Sequence, residues 1–363
     1  MTTELIPIIG AFIVSACCGF MFIPALLKFC EKKKLYDMPT ARKVHKTLVP
    51  RLGGIAFMPS MIISALLVMC VMISSVGDRK LTFSYWSVGL AISLLMIYTV
   101  GIIDDLIGLD AKVKFTVQIL AACIIPFCGL YINNLYGLFG INEIPFWVGA
   151  PLTIFMFVFI DNAMNLIDGI DGLSGSLAII ALLGFLFCIY PYALTAYEVL
   201  IAGLIGVLVT YLYFNIWGKA EKGNKIFMGD AGSLTLGFIL AFLFIKTIAV
   251  NPNVMPMSAQ RVLIAYSLLI VPTFDVVRVV IHRLRTGKPI FSADKCHIHH
   301  KMMALGMNQH KALGCILGMA IGFILLNVAL HHILFLSLTA IMVLDIIIYT
   351  LLNLLISSKA KSE

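Results

Sequence analysis

The sequence predicts an all-α, polytopic integral membrane protein. Three observations carry that prediction. Hydrophobic residues make up 61% of the 363-residue chain and charged residues only 12%, against roughly 25% charged in a soluble domain. Mean hydropathy is +1.03, so in water such a chain would expose far more apolar surface than a soluble fold can hide. Finally, eleven apolar runs recur along the chain, most close to the roughly 20 residues a membrane-crossing helix needs.

Taken in order, the predicted spans are residues 4–27, 53–76, 83–102, 115–131, 145–160, 175–191, 197–216, 233–250, 259–281, 312–330 and 332–356. The fifth and sixth are short. The connections alternate in charge. Basic residues crowd those after spans one, three, seven and nine and the C-terminal tail, which together hold 22 of the 26 Lys and Arg; only Arg79, Lys80, Lys246 and Arg261 lie toward the other side. Basic loops stay in the cytoplasm, so the N-terminus is expected outside and the C-terminus inside. This distribution accounts for the net charge of +8 without a nucleic-acid partner. No internal repeat, soluble domain or low-complexity segment interrupts the chain, and residues 1–363 read as one domain.

Nine Cys lie mostly within apolar runs and lack paired spacing, which argues against a disulfide framework or a zinc ribbon. Val14, Ser15, Ala16 and Cys17 look like a lipoprotein cleavage box. The N-terminus lacks the basic region of a signal peptide, so it is expected to be uncleaved.

The polar residues that remain share one side. Residues 161–175, DNAMNLIDGIDGLSG, hold three Asp and two Asn in a chain with only 18 acidic residues. On a helix, Asp161, Asn165 and Asp168 fall at i, i+4 and i+7, on one face. Gly169, Gly172 and Gly175 then loosen or end the helix and leave Asp171 beside the others. Oxygen-bearing side chains so dense are costly next to hydrocarbon unless they coordinate something. Asp168 and Asp171 are the expected chemical groups, and Asn162 and Asn165 the groups that orient a ligand.

Asp104 and Asp105 end the third span. Adjacent carboxylates raise each other's pKa unless a cation lies between them, so a metal, or use of one as a base, explains the pair. Phe227–Ser233, FMGDAGS, reads as a tight anion- and metal-binding turn that opens span eight, with Asp230 able to ligate Mg²⁺. In CHIHH, His297, His299 and His300 fall within four residues. Zinc is one reading, but the surroundings are basic (Arg283, Arg285, Lys288, Lys295, Lys301), which favours a diphosphate. Arg42, Lys43 and His45, with Arg51 and the Gly53-Gly54 pair, lie at the mouth of span two; an ordinary lipid-facing basic loop competes there with a substrate-phosphate role. Asp275 with Arg278 reads as an intramembrane ion pair or a site element. Asp345 has no sequence-level explanation, and His310, His331 and His332 have no chemical setting.

Five segments, RKVHKTLVPRLGG, GIIDDLIGLDAKVKF, DNAMNLIDGIDGLSG, NKIFMGDAGSLTLGF and FSADKCHIHHKMMALG, run in this order from residue 42 to residue 306. Together they resemble the polyprenyl-phosphate N-acetylhexosamine-1-phosphate transferase family, and the last segment resembles its bacterial UDP-GlcNAc branch. The resemblance implies a phosphoglycosyltransferase of the bacterial cytoplasmic (inner) membrane. A UDP-sugar donor would bind at the cytoplasmic face, undecaprenyl phosphate would attack its β-phosphorus, and UMP would leave. It also implies Mg²⁺ on the diphosphate, replaceable by Mn²⁺, with Asp230 the leading ligand and Asp168 in the metal and nucleotide region with Asp171. By the same resemblance Asp104 and Asp105 deprotonate or position the metal, Asn165 contacts the uridine, and Asp294, His297, His299 and His300 bind phosphates or sugar.

The exact sugar, a one-step or two-step route, and the oligomeric state, with a homodimer among the options, stay open. Another UDP-HexNAc or the muramoyl-pentapeptide donor of peptidoglycan synthesis keeps the same chemistry. An ion-coupled transporter is the competing class, but it requires acidic residues at mid-span depth, where only Asp275 and Asp345 are candidates.

Overall fold

The structure, a computed structural model, describes residues 2–36, 48–76, 84–289 and 296–362. It is a helical bundle. Helix α1 spans Thr2–Lys33; a 3-10 turn at Gly53–Ala56 leads into α2, Phe57–Val76; then come α3 (Tyr85–Ile107) and α4 (Ala111–Phe127). An antiparallel hairpin, β1 (Asn134–Leu138) and β2 (Ile141–Glu143), precedes α5 (Phe146–Ile167), α6 (Leu173–Ile189), α7 (Thr195–Ile216) and α8 (Gly229–Ile248). The remainder is α9 (Ala259–Leu268), α10 (Ile270–Arg285), the short α11 (Ile298–Ala304), α12 (Gln309–Ile333) and α13 (Leu338–Ser362).

Every predicted span falls on helix, but the count differs from eleven. Among the described residues nine helices are long and apolar enough to cross a membrane; α9 and α10, bent by 60°, make a tenth if taken together. Helix α4 has only 17 residues, or about 26 Å at ~1.5 Å per residue, less than the roughly 30 Å of a hydrocarbon core. The bend between α9 and α10 precedes Pro272, whose missing N–H and ring oppose a continuous helix.

Helix α8 is the axis of the bundle. All its residues from Ala231 to Ile248 are buried, as expected for a helix apolar on every side, and α3, α5, α6 and α9 pack around it. The peripheral helices turn apolar side chains such as Met21, Val71 and Leu325 outward. Exposed Tyr85, Trp147 and Trp217 lie at helix ends, where amphipathic rings suit a membrane interface. The hairpin, which has no sequence-level forecast, is tied to the far end of α8: the Asn133 side chain exchanges two hydrogen bonds with the Val250 backbone (2.8 and 2.9 Å), and the Tyr136 hydroxyl donates to the Ile248 carbonyl (2.8 Å).

Helix α5 extends past the predicted end of span five. Asp161, Asn162 and Asn165 lie in its last two turns, and Asp168 is the residue on which it ends. Neighbouring helices supply the polar partners that let these residues remain helical in an apolar bundle: the Asn162 amide donates to Gln118 of α4 (2.8 Å) and the Asn165 amide to the Ser233 hydroxyl of α8 (2.8 Å).

Candidate active site

The C-terminal ends of α3, α5 and α7 and the N-terminal ends of α4, α6 and α8 converge on one side of the bundle. The start of α8 is the centre of that convergence. Its leading strand of chain pairs with the segment before α2: Phe227 N–H donates to Pro50 O (2.7 Å), Gly53 N–H to Phe227 O (2.9 Å) and Gly54 N–H to Met228 O (2.8 Å). A Cβ on Gly54 would lie 2.1 Å from the Gly232 backbone, so the Gly53-Gly54 pair permits close backbone approach. Gly229 then turns the chain into the helix at φ +74°, a conformation that favours glycine.

Asp105 caps that helix. Its Oδ1 accepts the Asp230 N–H (2.8 Å), its Oδ2 accepts the Ala231 N–H (2.9 Å), and Arg51 Nε donates to Oδ1 (3.1 Å). The carboxylate is fully buried and satisfies first-turn amides that have no partner within the helix. Asp104, about 100° around α3 from Asp105, points elsewhere. Its Oδ1 accepts the Leu109 N–H (2.6 Å), and its Oδ2 lies 3.1 Å from Lys114 Nζ. Lys114 also donates to Asp230 Oδ2 at 2.7 Å. One ammonium thus joins two carboxylates from different helices, and Asp230 is the more open of the two acids. Lys114 gets there because Asp110 caps α4, accepting the Lys112 N–H at 3.1 Å.

The turn after α5 forms the next wall. Asp168 Oδ1 accepts the Ser174 hydroxyl at 2.6 Å. Burial, with the charges of Asp230 and Asp171 adding to it, pushes the Asp168 carboxyl up to about 7 against the Ser174 hydrogen bond. Asp171 pairs with Lys225 Nζ (2.7 Å). Asn215, at the end of α7, ties this turn to the approach to α8: Oδ1 accepts the Gly172 N–H (2.6 Å), and Nδ2 donates to Ile226 O (2.9 Å). Asp161 lies farther in than this group, though still within the electrostatic reach of Asp230. It is fully buried, deeper in the bundle against Gly237 of α8. Asn162 faces Gln118.

The histidines close the site from α10 and α11. Buried Asp275 accepts three donors: His297 Nδ1 (2.8 Å), the Ile298 N–H (3.0 Å) and Arg278 Nη2 (2.8 Å). Arg278 also donates to the Cys296 carbonyl. His297 and His299 stack at 5.7 Å, and the His299 ring presses on the Gly169 Cα, where a Cβ would lie 2.1 Å from Nε2. Burial first, then the neighbouring His300 and His297, lowers His299 to about 3, so it is neutral at physiological pH. His300 packs on it at 4.2 Å. Asp104, Asp105, Asp168, Asp171, Asn165, Asp230, Arg51 and the three histidines therefore line one continuous region, whereas Arg42, Lys43, His45 and Asp294 lie outside the described residues.

A cavity of about 840 Å³ adjoins the region, enclosed by α5, α8, α10 and α13. Phe159, Phe244 and Ile346 are among its apolar walls, and it ends at Arg278, Arg285 and Lys301. Arg278 connects this basic end, through Asp275, His297 and then His299, to the turn at Gly169.

The donor set fits a hard cation. Among the described residues no three His, Cys, Asp or Glu are grouped to hold a metal by themselves, and His299 is too enclosed to serve as a ligand. Mg²⁺, however, takes one or two carboxylates and completes its shell with phosphate oxygens and water. Asp104 and Asp230 already share one cation, the Lys114 ammonium, and Asp168 lies within the electrostatic reach of Asp230.

Residues 87–248, from α3 to the end of α8, match the model of glycosyl transferase family 4. The chain is 31% identical over 323 residues to the probable undecaprenyl-phosphate N-acetylglucosaminyl 1-phosphate transferase of Bacillus subtilis, covering 85% of this chain and 81% of that one. It is 29% identical to the undecaprenyl-phosphate alpha-N-acetylglucosaminyl 1-phosphate transferase of Escherichia coli K12 (81% and 77% covered) and 28% identical to that of Yersinia pestis (86% and 79%). The chain belongs to glycosyl transferase family 4. Within this family member, the residues that sequence reasoning missed are the partners of the acids. Lys114 and Lys225 count in the sequence only as loop charge, Asn215 and Gln118 lie unmarked in apolar runs, and Ser174 and Ser233 sit within the polar motifs without a partner assigned to them. The Asp110 cap, which carries Lys114 into the first turn of α4, is a readable signal for the first of them.

Proposed function

We propose that this protein transfers N-acetylglucosamine 1-phosphate from UDP-GlcNAc to undecaprenyl phosphate, releasing UMP and starting a lipid-linked envelope glycan. One observation carries the reading: a centre of carboxylates and cationic side chains at the helix ends is joined, through Arg278, Asp275, His297 and His299, to an apolar cavity of about 840 Å³ with a basic end. A diphosphate donor and a lipid phosphate acceptor call for those two features side by side. The relatives' names supply the sugar and the lipid. The site then faces the cytoplasm of the inner membrane, with the N-terminus outside, as the basic loops require.

Phosphoryl transfer depends on positioning and charge neutralisation more than on covalent chemistry. Asp105 fixes the first turn of α8 and so aims Asp230. Arg51, held by Asp105, brings a guanidinium to the donor's diphosphate. Lys114 supplies an ammonium to the same oxygens. Asp230 and Asp168, with Asp104 beside them, would hold Mg²⁺, which supplies neutralisation of the diphosphate charge. Asp104 rather than Asp105 accepts or directs the acceptor's proton, since both Asp105 oxygens are engaged by backbone amides. The turn at Asp168 and Asp171 and the Asn165 amide receive the nucleotide. His297, oriented by Asp275 through Nδ1, presents Nε2 toward phosphate or sugar. The acceptor's chain lies in the cavity, and its phosphate enters from the Arg278 and Lys301 end.

The test is UMP release by purified protein given undecaprenyl phosphate and a panel of UDP-sugars. UDP-GlcNAc is expected to be the preferred donor. Preference for another UDP-HexNAc or for the muramoyl-pentapeptide donor would change the sugar, and no UMP from any donor would overturn the reading.

A further inference from the structure

Helix α13 is a wall one helix thick. Ile346, Tyr349, Asn353 and Ser357 line the cavity, while Val343, Ile347 and Leu351 face outward, about half exposed. It lies beyond residue 248, where the match to the family model ends. Polar contacts fix it at three heights. At one end the Phe139 N–H donates to Thr339 Oγ1 (3.0 Å). At the other, Lys301 Nζ donates to Asn353 Oδ1 (2.6 Å) and Ser357 Oγ (2.8 Å).

The middle contact is of another kind. Asp345 and Asn327 are both fully buried. Asn327 Nδ2 donates to Asp345 Oδ2 (2.9 Å) and to Ser267 Oγ (2.9 Å), and the Ser267 hydroxyl donates to Leu263 O (2.7 Å). One amide thus joins α13 to α12 and to α9, just before the bend. A buried carboxyl is costly in such surroundings, and an apolar residue would hold a passive helix at less expense. A directional hydrogen bond adds what apolar packing lacks, a defined rotation and height of one helix against another. Those two quantities set where Ile346, the next residue, and Tyr349, one turn on, stand in the cavity, and Tyr266, beside Ser267, lines it as well.

We propose that Asp345 is a positioning residue for the lipid acceptor: through Asn327 and Ser267 it fixes α13 as the wall of the cavity that receives a long-chain polyprenyl monophosphate. The inference rests on the acceptor reading above. It acts on acceptor binding and leaves the reacting groups untouched.

The test uses the full chain, with UMP release measured against undecaprenyl phosphate and, separately, against UDP-GlcNAc. Asp345→Leu is expected to raise KM for the lipid about three- to tenfold, the size of one interhelical hydrogen bond. The kcat and the KM for the nucleotide sugar should stay within about twofold of wild type, below the size of such a bond. Asp345→Asn keeps an acceptor oxygen and should restore most of the lipid KM. Ser267→Ala removes one partner and carries the test by the same reading if Asp345→Leu fails to fold. An unchanged lipid KM, or a fall in kcat with the lipid KM intact, overturns the proposal. Native mass spectrometry of retained undecaprenyl phosphate needs no turnover and separates the two failures. A wild type that retains lipid which Asp345→Leu loses, yet releases no UMP, sinks the transferase reading and leaves the positioning role of Asp345 standing. A wild type that retains no lipid sinks both, and an active wild type with an indifferent Asp345→Leu sinks the positioning role alone.

Discussion

The carboxylate of Asp105 accepts the backbone N–H of Asp230 at 2.8 Å, so one acid of the Asp104-Asp105 pair serves as the cap of the helix that carries Asp230, the proposed metal ligand. The two acids should therefore separate by experiment. Asp105→Ala is expected to lower stability by about 1–2 kcal/mol, the range for a lost helix cap, and to lower turnover with it. Asp230→Asn leaves the cap intact and should abolish turnover with little change in Tm. Thermal unfolding and UMP release on both variants decide this; full activity in Asp230→Asn would remove it as the principal metal ligand.

Lys114 lies 2.7 Å from Asp230 and 3.1 Å from Asp104. Lys114→Met removes the cation that bridges those carboxylates and leaves only Arg51, 3.8 Å from Asp104, beside them, which disfavours ionisation of both and removes a charge from the proposed diphosphate site. Turnover should fall by roughly 10²-fold or more, as for loss of one preorganised charge-stabilising group. Lys114→Arg should recover only part of it, because a planar fork does not reproduce a point charge between two acids. Steady-state UMP release reads both variants, and activity near wild type in Lys114→Met would sink the role.

What the sequence discloses is largely periodicity and helix-end chemistry. The 3.6-residue repeat of Asp161, Asn165 and Asp168 on an apolar background foretells the end of α5, and the glycines after Asp168 foretell the turn. That the motifs share one side follows from counting spans between them. The pairing of the acids does not follow. Asp104 and Asp105 are neighbours in sequence yet diverge on α3, and the partner of one is 125 residues away while Lys114 reaches Asp230 across 116. Asp161 belongs to the same polar motif, but its helix carries it inward against Gly237, deeper than the acids of the turn. Asp345 is mute in sequence because Asn327 and Ser267 meet it only when α9, α12 and α13 pack. The short α4 and the bend before Pro272 explain why apolar runs overcount the long helices.

His299 gives stability a pH dependence of defined sign. Folding lowers its pKa from 6.5 to about 3, through burial and the neighbouring histidines. Between those values the unfolded chain binds a proton that the folded chain refuses. This contribution is therefore fully present above about pH 6.5 and declines as pH falls toward 3. Tm in detergent should drop between pH 7.5 and 5, and His299→Asn, which carries no titrating ring, should show a smaller drop. Equal drops in the two proteins would remove His299 as a source.

Metal dependence tests the division of labour between the acids and the histidines. The acids supply hard oxygen donors around a centre that already attracts a cation, while His299 is pressed on Gly169 and His297 is committed to Asp275 through Nδ1. EDTA is expected to abolish UMP release, and Mg²⁺ or Mn²⁺ to restore it. Mn²⁺ binding followed by electron paramagnetic resonance should weaken in Asp230→Asn and persist in His300→Asn. Rescue by zinc alone, or Mn²⁺ binding lost with the histidine instead of the aspartate, would move the metal to α11 and undo the assignment to Asp230.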